Sequence, residues 1–151
     1  MVQGTVAVTL MELDGSGFGR AWPLYRDYLT HFGVETGELA ALLEGLLEEE
    51  WFRFYLARHG AQTVGFCVVT RTYSALSVCR AYALTDLFVR EPYRRRGYGT
   101  AILEALEAQA LADGVGKLFV TADRPSIPFY EGNGWRPFPY VYHAKLIGGA
   151  P

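Results

Sequence analysis

The sequence predicts an α/β fold because a strand, a helix and a second strand follow one another directly in its second half. Apolar residues that favour strands run over 82–89 and again over 117–122. Between them, apolar residues repeat at helical spacing, with glutamates outside the stripe: Ile102, Leu103, Leu106 and Ala110. Because two strands joined by a crossover helix run parallel, we expect a parallel pair in the sheet.

The first half of the chain supplies the other strands and two helices. Residues 5–13 alternate loosely and predict a first strand, while apolar stripes predict helices over 18–32 and 38–50. Strand patterns follow over 52–57 and 63–69. The short glycine-containing link between these two strands predicts a hairpin.

The remaining segments are short. Residues 72–80 fit either a loop or one helical turn, residues 126–132 predict a short helix, and 137–146 predict a final strand. Neither a repeat nor a linker interrupts the 151 residues, so we expect one domain over 1–151.

Composition excludes several classes of protein. A net charge of −2 argues against bulk nucleic-acid binding, and we find neither an apolar run long enough to cross a membrane nor a secretory signal. Cys67 and Cys79 are too few for a disulfide framework and are expected to be buried thiols. The histidines are isolated, so no metal site is predicted. A cytoplasmic protein is the simplest interpretation.

The segment between the predicted strand and helix is basic and contains glycines: Arg94, Arg95, Arg96, Gly97, Tyr98, Gly99 and Thr100. The first N–H groups of a helix have no partner within the helix, and the helix dipole makes that end positive. Glycine lets an anion approach the backbone, and arginine adds charge. The segment therefore predicts a phosphate or pyrophosphate site; the alternative is a solvated basic turn.

The order of these motifs resembles the GNAT superfamily of N-acetyltransferases. The matching residues are Asp86-Leu87-Phe88-Val89, Arg94-x-x-Gly97-x-Gly99, Leu118-x-Val120 and Phe129-Tyr130-Glu131-Gly132-Asn133-Gly134-Trp135. The resemblance is specific over about 82–135. It implies a mixed, mostly antiparallel central sheet with a splayed parallel strand pair, flanked by about four helices.

The resemblance also implies a cosubstrate, acetyl-coenzyme A, whose pantetheine arm would lie between the splayed strands. Leu87, Phe88 and Val89 would bind the arm mainly through their backbones, and residues 94–100 would hold the pyrophosphate. Asp123 and Ser126 complete the implied cofactor-binding residues. Asp123 stands where the family commonly has asparagine, and although it can cap the short helix, it adds negative charge near the cofactor.

Tyr130 is the implied catalytic acid, because it occupies the tyrosine position of Y-x-x-x-G-[FW]. The family commonly uses this hydroxyl to protonate the departing thiolate, and a pKa near 10 suits a leaving group of comparable basicity. The alternative is that Tyr130 packs between helix and sheet with its hydroxyl bonded.

The general base is the weak point of the resemblance. The strand is nearest to the diamine and polyamine acetyltransferase branch, whose motif reads close to L-E-D-L-F-V, but this chain has Thr85 in the glutamate position. Strict strand alternation excludes a simple shift of the general-base role from position 85 to Asp86, because adjacent strand residues face opposite sides of the sheet. A water chain to another carboxylate is then the default.

These residues predict acetyl transfer from acetyl-coenzyme A to a primary amine, on a small or polyamine-like acceptor. The first alternative is a protein lysine or N-terminal acetyltransferase, and the second is a non-catalytic acyl-coenzyme A-binding module. A nucleic-acid-binding module is disfavoured by the net charge of −2. Many members of the family pair, so we also expect a homodimer.

Overall fold

A computed structural model describes residues 6–139 and 141–148. The chain divides into two compact units, Met1–Val120 and Thr121–Pro151. The first unit contains β1 Thr9–Leu13, α1 Phe18–His31, α2 Leu39–Leu46, β2 Phe52–His59, β3 Gln62–Ser74, β4 Cys79–Val89, α3 Tyr98–Ala112 and β5 Lys117–Val120. The second unit contains one α-helix, α4 Ile127–Gly132, which follows a 3-10 turn at Arg124–Ser126.

The five strands form one sheet in the order in which they occur along the chain. Each of the first four strands pairs antiparallel with its neighbour, and β4 pairs parallel with β5. Gly60 and Ala61 separate β2 from β3, so the predicted hairpin is confirmed. The predicted parallel pair is confirmed as well, and the fold is the mixed α/β class expected.

The parallel pair is short and then opens. Ala81 to Leu84 pair with Lys117 to Val120, and β5 ends there. β4 continues to Val89, paired over this stretch with β3 alone among the described strands. The backbone of β4 beyond Leu84 thus has a free edge on the side where β5 lay.

A bulge marks the point where β4 leaves β5. Val69 pairs with Leu84 and Val68 pairs with Asp86, so Thr85 is an extra residue without a partner in the register. Because neighbouring residues of β3 face opposite sides of the sheet, Leu84 and Asp86 do too. The expectation that strict alternation excludes Asp86 is therefore wrong, since one inserted residue breaks the alternation at this place.

The α1 side of the sheet carries the main apolar core. Tyr28 of α1 lies with its ring centroid 5.5 Å from that of Phe66 and 5.8 Å from that of Phe88. Phe66 also stacks on Phe54 at 4.9 Å, which joins the middle strands to the helix. The buried members of this core are Leu13, Ala21, Leu24, Leu43, Leu47, Phe54, Leu56, Phe66, Val68 and Phe88.

Helix α3 contacts the sheet, and its buried stripe is the one predicted from the sequence. Ile102, Leu103, Leu106 and Ala110 are all buried. At its end, Asp113 accepts a hydrogen bond from the Tyr82 hydroxyl (2.5 Å), which ties the helix to the start of β4. Gly114 then takes a left-handed φ of 72°, so the helix ends as the Asp-Gly pair predicts.

Several predicted elements differ from the structure. β1 begins at Thr9 rather than at residue 5, and residues 1–5 lie outside the described part. α2 ends at Leu46 rather than residue 50, because the acidic run that follows opposes the helix dipole. The final strand predicted over 137–146 is not formed by its described residues, 137–139 and 141–146, and residue 140 lies outside the described part. Cys67 is buried as expected, whereas Cys79 is only partly buried.

Two features are absent from the described residues. None of their helices is both long and apolar enough to cross a bilayer. Nor do the described histidines, cysteines, aspartates and glutamates form any group of three or more that could hold a metal ion.

Gly65 permits the close approach of β3 to the end of β4. A Cβ at this position would lie 2.0 Å from the Phe88 carbonyl oxygen, which no backbone can tolerate unmoved. We expect Gly65→Ala to lower the free energy of unfolding by about 1–3 kcal/mol, the usual cost of overpacking. Denaturant unfolding measures this, with Gly45→Ala as the control. Gly45 lies in α2 with nothing within 4 Å of an added Cβ, so its substitution should be neutral or stabilising. Equal stability of both variants would contradict this.

Candidate active site

The amino end of α3 presents unpaired backbone donors. Gly97 precedes the helix with φ 87° and ψ 4°, a left-handed conformation that favours glycine, and it offers no side chain to cap the helix. The Ala101 N–H donates to the Gly97 carbonyl (3.1 Å). The N–H groups of Tyr98, Gly99 and Thr100 therefore have no intrahelical acceptor and can bind an anion.

An aromatic cluster holds this turn in place. The Tyr98 ring packs against His59 at 5.5 Å and against Tyr93 at 5.6 Å. His59 is fixed in turn by a 2.7 Å hydrogen bond between its Nδ1 and the Ala7 carbonyl. Sequence reasoning assigned no such role to His59 or Tyr93, because the contacts join segments that are distant along the chain.

The three predicted arginines do not act alike. The Arg94 Nε donates to the Val89 carbonyl (2.8 Å), and its guanidinium lies 5.2 Å from the centre of the Phe88 ring. Arg94 thus folds back over the end of β4. Arg95 and Arg96 are exposed beside Gly97, where their charges can reach an anion at the helix end.

The free edge of β4 contains two of the three residues expected to bind the arm through their backbones. The Arg90 N–H donates to the carbonyl of Val64 in β3 (2.8 Å). In an antiparallel ladder, hydrogen-bonding direction alternates, so the backbone groups of Leu87 and Val89 point away from β3. Phe88 instead hydrogen-bonds towards β3 and buries its side chain in the α1-side core.

Asp86 is the carboxylate closest to the bulge and faces α1. It is partly buried, and hydrogen bonds reach it from the Tyr28 hydroxyl and from the Thr85 Oγ1, 3.1 Å from Oδ2. Loss of hydration raises the pKa of Asp86 above its usual value, although both hydrogen bonds oppose the shift. Burial and the nearby Asp86 charge raise the pKa of Tyr25 to about 12.

A cavity of about 390 Å³ opens where β4 ends, beside the end of α1. Phe88, which shares the Asp86 face of β4, forms part of its wall. The charged groups of the wall have both signs, with two carboxylates and two guanidiniums: Asp27, Glu91, Arg90 and Arg94. His31 lies among them. Such a wall suits a small solute that carries both charges.

A larger cavity, of about 620 Å³, lies at the other end of the sheet. The acidic run Glu48–Glu49–Glu50 lines it together with Arg53 and Arg71. Arg53 also forms an ion pair with Glu12. The arginines and the acidic run thus line the same cavity, which is remote from the free edge of β4.

The second unit holds the other three predicted site residues. The Asp123 side chain accepts a hydrogen bond from the Ser126 N–H (3.1 Å), so Asp123 caps the turn before α4. Tyr130 is buried, with its ring 5.4 Å from that of Trp135. The Trp135 N–H donates to the Tyr130 carbonyl (3.0 Å), and Gly134 supplies the left-handed φ of 84° that this return requires. The segment Y-x-x-x-G-W is thus one local motif.

Comparison with known proteins gives one consistent result. The Acetyltransferase (GNAT) family model matches residues 12–135. An L-ornithine N5-acetyltransferase of Arabidopsis thaliana is 28% identical over 148 residues, which are 96% of this chain and 64% of that protein. The chain therefore spans less than two thirds of the length of that relative.

Solved structures share the fold. A probable acetyltransferase superposes with a TM-score of 0.79 at 21% identity, covering 95% of this chain and 99% of that one. An aminoglycoside acetyltransferase from an uncultured soil metagenomic sample, in complex with sisomicin, superposes with a TM-score of 0.76 at 19% identity, covering 92% and 95%. The family match spans the free edge of β4, the basic turn and the Tyr130 motif, and the chain belongs to the GNAT family of acetyltransferases.

Proposed function

We propose that this GNAT enzyme transfers the acetyl group of acetyl-coenzyme A, the cosubstrate of its family, to a primary amine on a small acceptor. The observation that carries the proposal is the free edge of β4, which runs from Thr85 towards the unpaired amides at the start of α3. An extended amide-containing chain can pair with such an edge, while a pyrophosphate binds the helix end.

In this assignment, the backbones of Leu87 and Val89 bind the pantetheine arm and the side chain of Phe88 holds the strand. Tyr98, Gly99 and Thr100 donate N–H groups to the pyrophosphate, and Arg95 and Arg96 supply charge. Arg94 acts indirectly, since its Nε fixes the Val89 carbonyl at the end of the edge. Gly97 shapes the start of α3 that carries these amides, whereas Asp123 and Ser126 are assigned to the cosubstrate on the family resemblance alone.

Tyr130 is the proposed acid, on the strength of the family motif. Its ring is fixed by Trp135 and its backbone by the return hydrogen bond, so the side chain is held rigidly. A rigid phenol can deliver a proton to one place, which is what protonation of a leaving thiolate requires.

The plant relative supports a small acceptor, because it is named for L-ornithine, an amine that carries both an ammonium and a carboxylate. A thiol-release screen of the purified protein with acetyl-coenzyme A tests the proposal. The panel should hold diamino acids, diamines, aminoglycosides and lysine-containing peptides, with products confirmed by mass. If only the lysine-containing peptides are acetylated, the acceptor is a protein and not a small molecule.

The first prediction for this site concerns the basic turn. Replacing Gly97 and Gly99 together by valine should weaken acetyl-coenzyme A binding roughly 100-fold or more, because side chains would block the phosphate from the helix amides. Isothermal titration calorimetry measures this. Glu104→Gln on the exposed face of α3 is the control for changes in the helix. If the double variant binds acetyl-coenzyme A with unchanged affinity, the turn is not part of the binding site.

The second prediction concerns the acid. Tyr130→Phe keeps the ring contact with Trp135, so folding and cosubstrate affinity should survive. The rate kcat should fall by roughly 10²–10⁴, the range for a positioned acid. The loss should appear in kcat rather than in the apparent affinity for acetyl-coenzyme A. If the variant turns over at the wild-type rate, under conditions where chemistry limits that rate, Tyr130 is a packing residue and not the acid.

The third prediction concerns assembly, for which we propose a homodimer. Val141 and Ile147 are 79% and 81% exposed, in a segment rich in apolar residues that a second copy would cover. Sedimentation at micromolar concentration should give a dimer, and Val141→Asp with Ile147→Asp should dissociate it. Leu76→Asp, at an equally exposed apolar residue in the β3–β4 turn, is the control. A wild-type monomer would refute the proposal.

A further inference from the structure

We propose that Asp86 binds the ammonium of the acceptor and takes its proton, the role that the resemblance gives to a glutamate at position 85. The inference rests on the proposed function, because it concerns the amine of that reaction. Four observations carry it: the place of Asp86 along β4, the direction in which the bulge turns it, its hydrogen bonds, and the absence of a positive partner.

Asp86 lies at the closed end of the gap between β4 and β5. The last pair of those strands is Leu84 with Val120, and Asp86 comes two residues later. The other end of the gap, at Val89, adjoins the basic turn. Five residues of strand, 85–89, span about 13–16 Å at ~3.3 Å each. A cosubstrate whose pyrophosphate binds the turn and whose arm follows this edge therefore brings its acyl end to residues 85–86.

The bulge decides which side of the sheet receives the carboxylate. Because Thr85 is inserted, Asp86 faces α1 with its strand partner Val68. The Thr85 Oγ1 lies 3.1 Å from the Asp86 Oδ2 and 3.2 Å from the Val68 carbonyl, and it can donate to either. Thr85 thus has no carboxylate of its own, but its hydroxyl positions the Asp86 carboxylate beside it.

Among the described residues, no cation lies in an ion pair with the negative charge of Asp86. Its titratable neighbours are two hydroxyls of α1: Tyr28 hydrogen-bonds to it, and Tyr25 lies close enough to interact with its charge. From β3, apolar Val68 and Phe66 face the same side. Within the described residues, Asp86 forms no ion pair with lysine, arginine or histidine.

A carboxylate that is largely removed from water is costly unless it is paired. Asp86 nonetheless keeps some exposure, so a solute can reach it. The protonated amine of the acceptor is the cation that completes this site. The raised pKa then serves the reaction, because it makes Asp86 a stronger base than a solvated aspartate.

The proton balance of the reaction is complete with this assignment. Asp86 takes one proton from the ammonium, and the freed nitrogen lone pair forms the N–C bond at the thioester carbonyl. The C–S bond then breaks and its electron pair leaves on sulfur. The nitrogen loses a second proton to solvent as the amide forms, while the thiolate takes a proton from the proposed acid Tyr130, which solvent reprotonates, or from solvent directly. Asp86 returns its proton to solvent, so one proton is released in each turnover.

The test compares Asp86→Asn with Glu107→Gln, the same carboxylate-to-amide change on the exposed face of α3. We expect Asp86→Asn to lower kcat/KM for the best amine by about 100-fold or more. Its dissociation constant for acetyl-coenzyme A should stay within about twofold of the wild type. The wild type should lose activity as pH falls through the pKa of Asp86. The variant should not show this loss of activity at low pH. A variant within about threefold of the wild type overturns the inference.

A second measurement separates this inference from the proposed function. The pKa of Asp86 is raised in the folded state, so ionisation opposes folding at any pH above its ordinary value of 3.8. Asp86→Asn should therefore melt at a higher temperature than the wild type at pH 8, with a difference that vanishes near pH 3. Equal melting temperatures at pH 8 overturn the inference.

If the wild type acetylates no amine in the screen, the proposed function fails. The inference that Asp86 binds an ammonium is then tested by amine binding alone. Adding a diamine such as 1,4-diaminobutane at pH 8 should raise the melting temperature of the wild type and leave that of Asp86→Asn unchanged. Equal shifts in both proteins overturn the inference.

Discussion

The separation of β4 from β5 after Leu84 is the constraint on which the rest of the structure depends. A sheet satisfies its backbone hydrogen bonds by pairing each strand on both sides, and a strand that loses one neighbour exposes a row of donors and acceptors. Here β5 stops at Val120, while β4 runs on to Val89. The exposed row on β4 suits an extended ligand, and the turn that follows β4 begins α3 at the same end.

Neighbouring features maintain this separation. The insertion of Thr85 makes the bulge, which increases the local twist of β4 where its pairing with β5 ends. Gly65 lets β3 approach the Phe88 carbonyl closely, so β4 stays attached to the sheet on its other side. The Arg94 side chain closes the far end over Val89. Backbone contacts therefore shape the edge, and its side chains mostly face elsewhere.

The α1 side of β4 combines packing with charge. Tyr28 contacts both Phe66 and Phe88 and also hydrogen-bonds to Asp86, so one residue joins the apolar core to the carboxylate. The arrangement makes the position of Asp86 rigid at some cost in stability, because a carboxylate there is poorly hydrated. Functional groups are commonly held in this way, with strain or desolvation compensated by the surrounding core.

The sequence by itself determined the local elements and the family. The βαβ unit, the hairpin, the Asp113–Gly114 helix end and the Asp123 cap follow from apolar periodicity and from glycine and aspartate at fixed positions, because those effects act within a few residues. Tertiary structure alone decided the face that Asp86 occupies, the support of Tyr98 by His59 and the direction of Arg94. Each of these depends on strand register or on contacts between distant segments, and a bulge that adds one residue reverses the side-chain alternation without changing any local pattern.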